Sequence, residues 1–341
     1  MQHFLYFAGG LVLLLVGGRL LVSAAVDTAK RLNVSPLVIG LTLVAWGTSA
    51  PELALNVISA LKGRGDLASA NVVGANICNM ALVLGVASLI KPLIVGERLI
   101  KIEIWLNAFI LLGLALMGVF GAFSAWKISI MLGIFGLYSM WTIMAALRSS
   151  DRNARSEQPI GDDPVREGAP MGWVMIAACF VGGLALLSFG GSLTSDGASG
   201  IAIGLGVPAS VVGVTIVSIG TTTPELITSI LAVRRGQTDL AMGNAIGSCL
   251  FNAGAIFPIS ALIDAPAAHG ELFMPLLYMG GLALALVPIS RSRGKVVTRA
   301  EGGALLLTYV VFLVMSAYGA EGTPPGAGEV GATPGPASQA E

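Results

Sequence analysis

Two six-residue stretches of this chain combine the groups most able to do chemistry. Gly47-Thr48-Ser49-Ala50-Pro51-Glu52 and Gly220-Thr221-Thr222-Thr223-Pro224-Glu225 each set a glycine, hydroxyl side chains, a proline and a carboxylate inside an apolar run. Proline removes one amide donor and blocks the hydrogen bond to the preceding turn. Glycine relaxes the backbone nearby. Each stretch is therefore expected to break or kink a helix and to free carbonyl oxygens, those of Ala45 and Ser218 just before the break. Open backbone at membrane depth is tolerated only when it is buried in protein or lines a wet cavity.

The carboxylates decide what such a site is for. A charge at the centre of a membrane helix costs about 2.5–3.5 kcal/mol on insertion scales, and Glu52 and Glu225 incur that twice. No Lys or Arg stands at matching depth, and Arg19, the only basic residue within a span, lies where it can snorkel. Either the glutamates are protonated or mobile cations serve as their counter-ions. The neighbouring donors favour cations. Thr48, Ser49, Thr221 and Thr222 bring hydroxyls, Asn79 and Asn252 bring amide oxygens after Gly74 and Gly247, and Ser248 adds another hydroxyl. Calcium takes about 6–8 oxygens in flexible geometry, whereas zinc prefers nitrogen and sulfur. Plainer roles compete: a lone membrane Glu can be a structural hydrogen-bonding group, and Asn79 and Asn252 can simply bond between helices. The recurrence of the glutamate in two matching motifs favours function. Asp66 and Asp239 are expected to cap helices.

The elements that position these residues follow from composition. Of 341 residues, 55% are hydrophobic and only 11% charged, with mean hydropathy +0.84. Soluble domains carry about 25% charged residues, so the chain belongs in a bilayer; a cytosolic enzyme and a secreted disulfide scaffold are excluded. The 19 basic and 19 acidic residues leave no excess for nucleic acid. Cys78, Cys179 and Cys249 sit in apolar stretches and read as small buried hydrophobes, and His3 and His269 fall at membrane ends. A span needs about 20 apolar residues. Ten segments qualify: 4–29, 34–61, 67–90, 102–121, 125–147, 170–193, 206–233, 239–263, 272–290 and 301–319. With the N-terminus outside, 15 Lys and Arg fall in inner loops and 3 in outer loops. That asymmetry predicts both termini outside.

The chain repeats itself at an offset of 173 residues. Val38–Asn79 and Val211–Asn252 agree at 16 of 42 aligned positions, including Pro51/Pro224, Glu52/Glu225, Asn71/Asn244, Gly74/Gly247 and Asn79/Asn252. Gly17-Gly18 likewise aligns with Gly190-Gly191. The predicted organisation is all-α and polytopic, with ten transmembrane helices as two inverted five-helix repeats. Residues 1–147 form the first repeat (motif 38–79) and 170–319 the second (motif 211–252). Residues 148–169 form a charged cytoplasmic linker and 320–341 a disordered tail. Five crossings per half place the halves in opposite orientation, as in many secondary transporters. Helices 2 and 7 are expected to be broken at mid-membrane.

The paired Gly-Thr-Ser-x-Pro-Glu and Gly-Asn-x-x-Gly-Ser-x-x-x-Asn elements resemble the two alpha repeats of the calcium/cation antiporters, which include the sodium/calcium exchangers. The resemblance covers nearly all ten spans. It implies an exchanger that extrudes Ca2+ using inward Na+, with no cofactor beyond the transported ions. Its ion site would use Thr48, Ser49, Glu52 and Asn79 from the first repeat. Thr221, Thr222, Glu225, Ser248 and Asn252 would come from the second. Two departures stand out. Ala70 and Ala75 replace the family's glycine and serine, removing one oxygen whose equivalent, Ser248, is kept. Some sodium-coupled members carry Asp where Asn252 stands. The short linker leaves no room for the calcium-sensing insert of animal exchangers, and the compact chain resembles prokaryotic members of the inner membrane. Three alternatives stay open: H+ in place of Na+ on the same fold, an intramembrane hydrolase using paired acids, and a passive cation channel.

Overall fold

The computed structural model describes residues 2–121, 123–153, 170–206, 218–266 and 272–321. Most of the expected linker, the start of the second motif and nearly all of the expected tail lie outside the described residues.

The described chain is almost entirely helical. In order it runs α1 (Gln2–Leu32), α2 (Pro36–Thr48), α3 (Ala50–Leu61), α4 (Gly65–Ile90), α5 (Leu99–Val119), α6 (Ala125–Asn153) and α7 (Trp173–Gly204). It continues through α8 (Ser218–Arg234), α9 (Thr238–Ile263), α10 (Phe273–Ile289) and α11 (Arg299–Glu321). Seven of these helices are long and apolar enough to cross a bilayer, and the bent pair α2–α3 makes an eighth span. The helices α8 and α10 have 17 residues each. Large apolar side chains such as Leu5, Phe109, Val174 and Leu307 stand exposed. Such an apolar exterior suits lipid, not water.

Burial separates the layers. About three-quarters of the apolar stretches of α4 and α9 is buried (72% and 78%), against 33% or less for α1, α6, α7 and α11. The two helices carrying Asn79 and Asn252 are therefore the central ones. Glycines permit the close approach. A Cβ on Gly243 would meet the Leu37 carbonyl oxygen at 2.6 Å, and one on Gly247 would meet Leu41 Cα at 2.7 Å. Thus α2 lies backbone to backbone on α9. Similarly, Gly10 abuts the Gly190 carbonyl and Gly17 the Gly183 carbonyl, so α1 and α7 run antiparallel in direct contact.

The break in the second span forms where expected. Ser49 leaves helical geometry (φ −89°, ψ 6°), and Pro51 sits in the first turn of α3, where its missing amide costs nothing. The axes of α2 and α3 differ by 45°. The equivalent break in the seventh span is not formed: α8 is one helix that runs through Pro224. The proline falls early in the described helix. Upstream of it, the Thr223 hydroxyl donates to the Ile219 carbonyl at 2.9 Å, and Gly220 offers no side chain to clash. The Ala45 carbonyl is not freed either. It accepts the Ser49 amide at 3.0 Å, because α2 completes its last turn before the bend.

Asp66 and Asp239 are not the N-cap residues. They occupy the first turns of α4 and α9, whose preceding residues Arg64 and Gln237 make no side-chain cap bond. There they still favour the positive helix end. The group that caps α4 is Asp264, which accepts the Gly65 amide at 2.6 Å from beyond the end of α9. On another surface, the strand Leu93–Ile94 pairs antiparallel with Val296–Val297. The Val95 amide extends the pairing by donating to the Lys295 carbonyl at 2.8 Å. This clasp ties the α4–α5 connection to the α10–α11 connection.

Candidate cation site

Four central segments meet around the two glutamates. The bend between α2 and α3 presents Thr48, Ser49 and Glu52. Ending α2 at Ser49 puts Glu52 in the first turn of a new helix, where a carboxylate faces unpaired amides and a favourable dipole. Thr221, Thr222 and Glu225 lie on α8. Asn79 lies in a π-helical turn of α4, Cys78–Val83, and Asn252 opens the corresponding π-helical turn of α9, Asn252–Ile256. A π turn inserts an extra residue into the helix and re-aims side chains, often at functional sites. The helix α8 packs against both α9 and the Cys78–Val83 turn.

The motifs touch directly. The Ser49 hydroxyl donates to Glu225 Oε1 at 2.9 Å, joining the first motif to the second. The two carboxylates stand close enough for their charges to interact. Both are buried, Glu52 at 2% exposure and Glu225 at 1%. Among the described residues neither forms an ion pair. The other deeply buried acid, Glu103, has one: Arg98 Nε reaches its Oε1 at 2.9 Å.

Several buried polar atoms of the expected site residues have no protein partner. They are Glu52 Oε2, Glu225 Oε2, Thr222 Oγ1, Ser248 Oγ, Asn252 Oδ1 and both polar atoms of the Asn79 amide. Nearly all buried polar groups in folded proteins are satisfied, and leaving one unpaired costs about 1–3 kcal/mol. These seven atoms, six of them oxygens, lie on α3, α4, α8 and α9, and a cation with its water is one way to satisfy them. Calcium suits such an oxygen set. No cluster of three or more His, Cys, Asp or Glu occurs among the described residues, so neutral oxygens must supply most of any coordination shell.

The remaining expected residues divide. Thr48 is buried, and its hydroxyl lies 3.1 Å from the Val44 carbonyl and 3.3 Å from that of Ala45. Thr221 is half-buried and makes interactions of its own. The Ala45 carbonyl accepts the Ser49 amide and is also within reach of the Thr48 hydroxyl. Ser218 is the first described residue of α8. Ala75 is buried and brings no oxygen.

Two supporting residues were not singled out from sequence. Asn244, on α9, donates to the Glu225 carbonyl at 3.2 Å and to Ser229 Oγ at 3.0 Å. Its Oδ1 lies 3.4 Å from the Thr48 hydroxyl. Asn56 Nδ2 donates to the Glu52 carbonyl at 2.7 Å. The repeat carried the signal for the first, as the match Asn71/Asn244. Asn56 left none, because Ser229 occupies its equivalent position.

A polytopic helical membrane protein with two buried glutamates that form no ion pair among the described residues is the class defined by this arrangement. The family model described as sodium/calcium exchanger protein matches residues 2–144 and 175–318, one segment in each half. The chain belongs to the sodium/calcium exchanger family. It is 34% identical over 307 residues to the putative antiporter CaxA of Alkalimonas amylolytica, covering 88% of this chain and 94% of that one. It is 30% identical over 350 residues to the sodium/calcium exchanger MaX1 of Methanosarcina acetivorans, covering 93% and 99%. The solved sodium-calcium exchanger NCX_Mj, soaked with Na+ and Sr2+, superposes with a TM-score of 0.76 at 28% identity, covering 92% of this chain and 99% of that one. The chain is thus an integral multi-pass membrane antiporter of this family and not an enzyme, which sets aside the hydrolase.

Proposed function

We propose that the protein exchanges Ca2+ for Na+ across the membrane by alternating access at one central site built on Glu52 and Glu225. The observation that carries this reading is the pair of buried carboxylates with unpartnered oxygens and no basic neighbour among the described residues. Calcium neutralises the pair and draws on Thr48, Ser49, Thr222, Ser248, Asn79 and Asn252. Thr221 and the backbone of Ala45 and Ser218 are outer contributors. Sodium ions replace calcium by competing for the same oxygens. The empty, doubly charged site is costly to enclose, so the protein changes orientation when occupied, which makes transport an exchange and not a leak.

Inverted repeats supply the two orientations. With α8 and α10 counted, ten spans form two five-helix halves. The α1–α7 contact supports the inversion. The offset of 173 carries Gly10 to Gly183 and Gly17 to Gly190, so the Gly10–Gly190 contact maps onto the Gly17–Gly183 contact itself. A two-fold axis in the membrane plane has this property. The 15-to-3 split of basic residues supports an orientation with both termini outside, and the membrane is read as a prokaryotic inner one.

The test is flux. Purified protein in proteoliposomes takes up calcium against its gradient when a sodium gradient is imposed at clamped pH. Glu52→Gln and Glu225→Gln each abolish that uptake. Near-normal flux in both variants refutes the site, and calcium movement driven by a pH gradient alone replaces Na+ by H+ as the counter-ion. Calcium flux without any counter-ion would show a channel.

A further inference from the structure

We infer that Asn71 is a positioning residue that acts in only one of the two orientations. When the side bearing the α3–α4 turn is shut, its amide donates to Asn56 and steadies Glu52, as Asn244 steadies Glu225 in this structure. This rests on the alternating-access reading proposed above and adds a contact that distinguishes the two orientations.

The offset of 173 pairs Glu52 with Glu225, Asn56 with Ser229 and Asn71 with Asn244. In the second half these three positions are joined. Asn244 reaches from α9 to α8, donating to the Glu225 carbonyl at 3.2 Å and to Ser229 Oγ at 3.0 Å. In the first half they are not joined. Asn56 Nδ2 turns back within α3 to the Glu52 carbonyl at 2.7 Å. Its Oδ1 has no partner, and Asn71 Nδ2 on α4 has none either. The helices α3 and α4 pack against each other. One open donor and one open acceptor thus lie on neighbouring helices, at the two positions whose counterparts are bonded.

Neither atom has water to fall back on. Asn56 is 0% exposed, and Asn71 Nδ2 is buried although the residue as a whole is half-buried. Buried polar groups left unpaired are unfavourable. A single bond from Asn71 Nδ2 to Asn56 Oδ1 satisfies both. It leaves the Asn56–Glu52 bond intact, because that bond uses the other end of the Asn56 amide. It forms when α4 and α3 close as α9 and α8 do here. The polar tie is therefore made on the α8–α9 side of this structure and open on the α3–α4 side. Inverted repeats exchange such conditions when the molecule changes orientation.

The experiment measures half-saturating calcium separately at the two membrane faces, using right-side-out and inverted vesicles from cells that express the full chain. Losing a bond made only when the α3–α4 side is shut makes the orientation open on the α8–α9 side rarer. Apparent affinity falls with the populated fraction of the competent state. Asn71→Ala is expected to raise half-saturating calcium about fivefold on the face of the α8–α9 turn, as the loss of one hydrogen bond would. On the opposite face the value stays equal or falls. In an Asn56→Ala background Asn71→Ala adds nothing further, since the pair is already gone. Asn71→Ser, too short to reach Asn56, replaces the alanine variant if that one does not fold. Equal shifts at both faces, or none, overturn the inference, because they mark a static role such as a water bridge kept in both orientations. Full additivity of the two alanine substitutions overturns it as well. Absence of calcium exchange by the unaltered protein is a separate failure, which removes the exchange reading and this contact with it.

Discussion

Asn244 braces Glu225 from behind. One amide holds the Glu225 backbone, the Ser229 hydroxyl and the Thr48 hydroxyl, so it fixes α8 against α9 and against the end of α2. Removing it leaves buried groups unpaired, at about 1–3 kcal/mol each. Asn244→Ala is expected to raise the calcium concentration for half-maximal exchange about tenfold, a shift equivalent to ~1.4 kcal/mol. Calcium titration of the flux reads this directly, and an unchanged half-saturation would show that Asn244 serves packing alone. At this scale the sequence was informative where a residue type is expensive. Glu52 and Glu225 are costly anywhere in a membrane, so they could be singled out from their presence, and both are buried without an ion pair among the described residues. Asn244 and Asn56 are ordinary polar residues whose value comes from what lies opposite them, and no one-dimensional pattern records that. The Ala45 carbonyl shows the converse: a proline two turns on implied a free oxygen, but the helix closes its final turn before the bend and uses it.

Elements are held in place by the absence of side chains. Gly40, Gly243 and Gly247 let α2 and α9 touch at backbone distance, which brings Thr48 and Asn244 within reach of each other. Gly247→Ala places a methyl 2.7 Å from both Leu41 Cα and its carbonyl oxygen. Forcing atoms into a filled interface costs about 1–3 kcal/mol. The variant is expected to lower the thermal midpoint of the detergent-solubilised protein by several degrees, about 2–4 °C per kcal/mol for large domains. Gly133→Ala is the control, since a Cβ there meets nothing within 4 Å. Equal midpoints for the two variants would show that α2 and α9 are not in tight contact. Element positions were legible because apolar runs bounded by charge define spans. The shapes inside them were less so. Two similar motifs with the same proline gave a bend at Ser49, where Pro51 opens a new helix, and a helix continuous through Pro224 among the described residues, where the proline only withholds an amide from the Gly220 carbonyl. The π-helical turns at Asn79 and Asn252 left no pattern, since an inserted residue changes hydrogen-bond partners and not composition.

On the proposed inversion the whole molecule is one design in two opposing orientations, and that topology can be tested apart from transport. If each half crosses the membrane five times, equivalent loops of the halves face opposite sides. The turn after α3 carries Lys62 and Arg64, and its equivalent after α8 carries Arg235 and Gln237. The first falls outside and the second inside, although the two turns share the same left-handed glycine, Gly63 (φ 68°) and Gly236 (φ 78°). Local structure therefore repeats while the surrounding medium is exchanged. The proposed orientation rests on the 15-to-3 split of basic residues, and not on either motif. Single cysteines reveal it. Cys78 and Cys249 are buried and so are poor targets for a membrane-impermeant thiol reagent, and Cys179 is replaced by serine. In intact cells the reagent is expected to label Lys62→Cys and to spare Lys101→Cys, whose native side chain is 71% exposed and so accessible once the membrane is opened. Adding detergent should then equalise the two. Labelling of both before detergent, or of Lys101→Cys alone, would place these loops on the wrong sides. Labelling of both would mean that α4 does not cross the membrane, which removes the five-crossing half on which the proposed inversion rests, whereas labelling of Lys101→Cys alone would reverse the orientation of the whole protein.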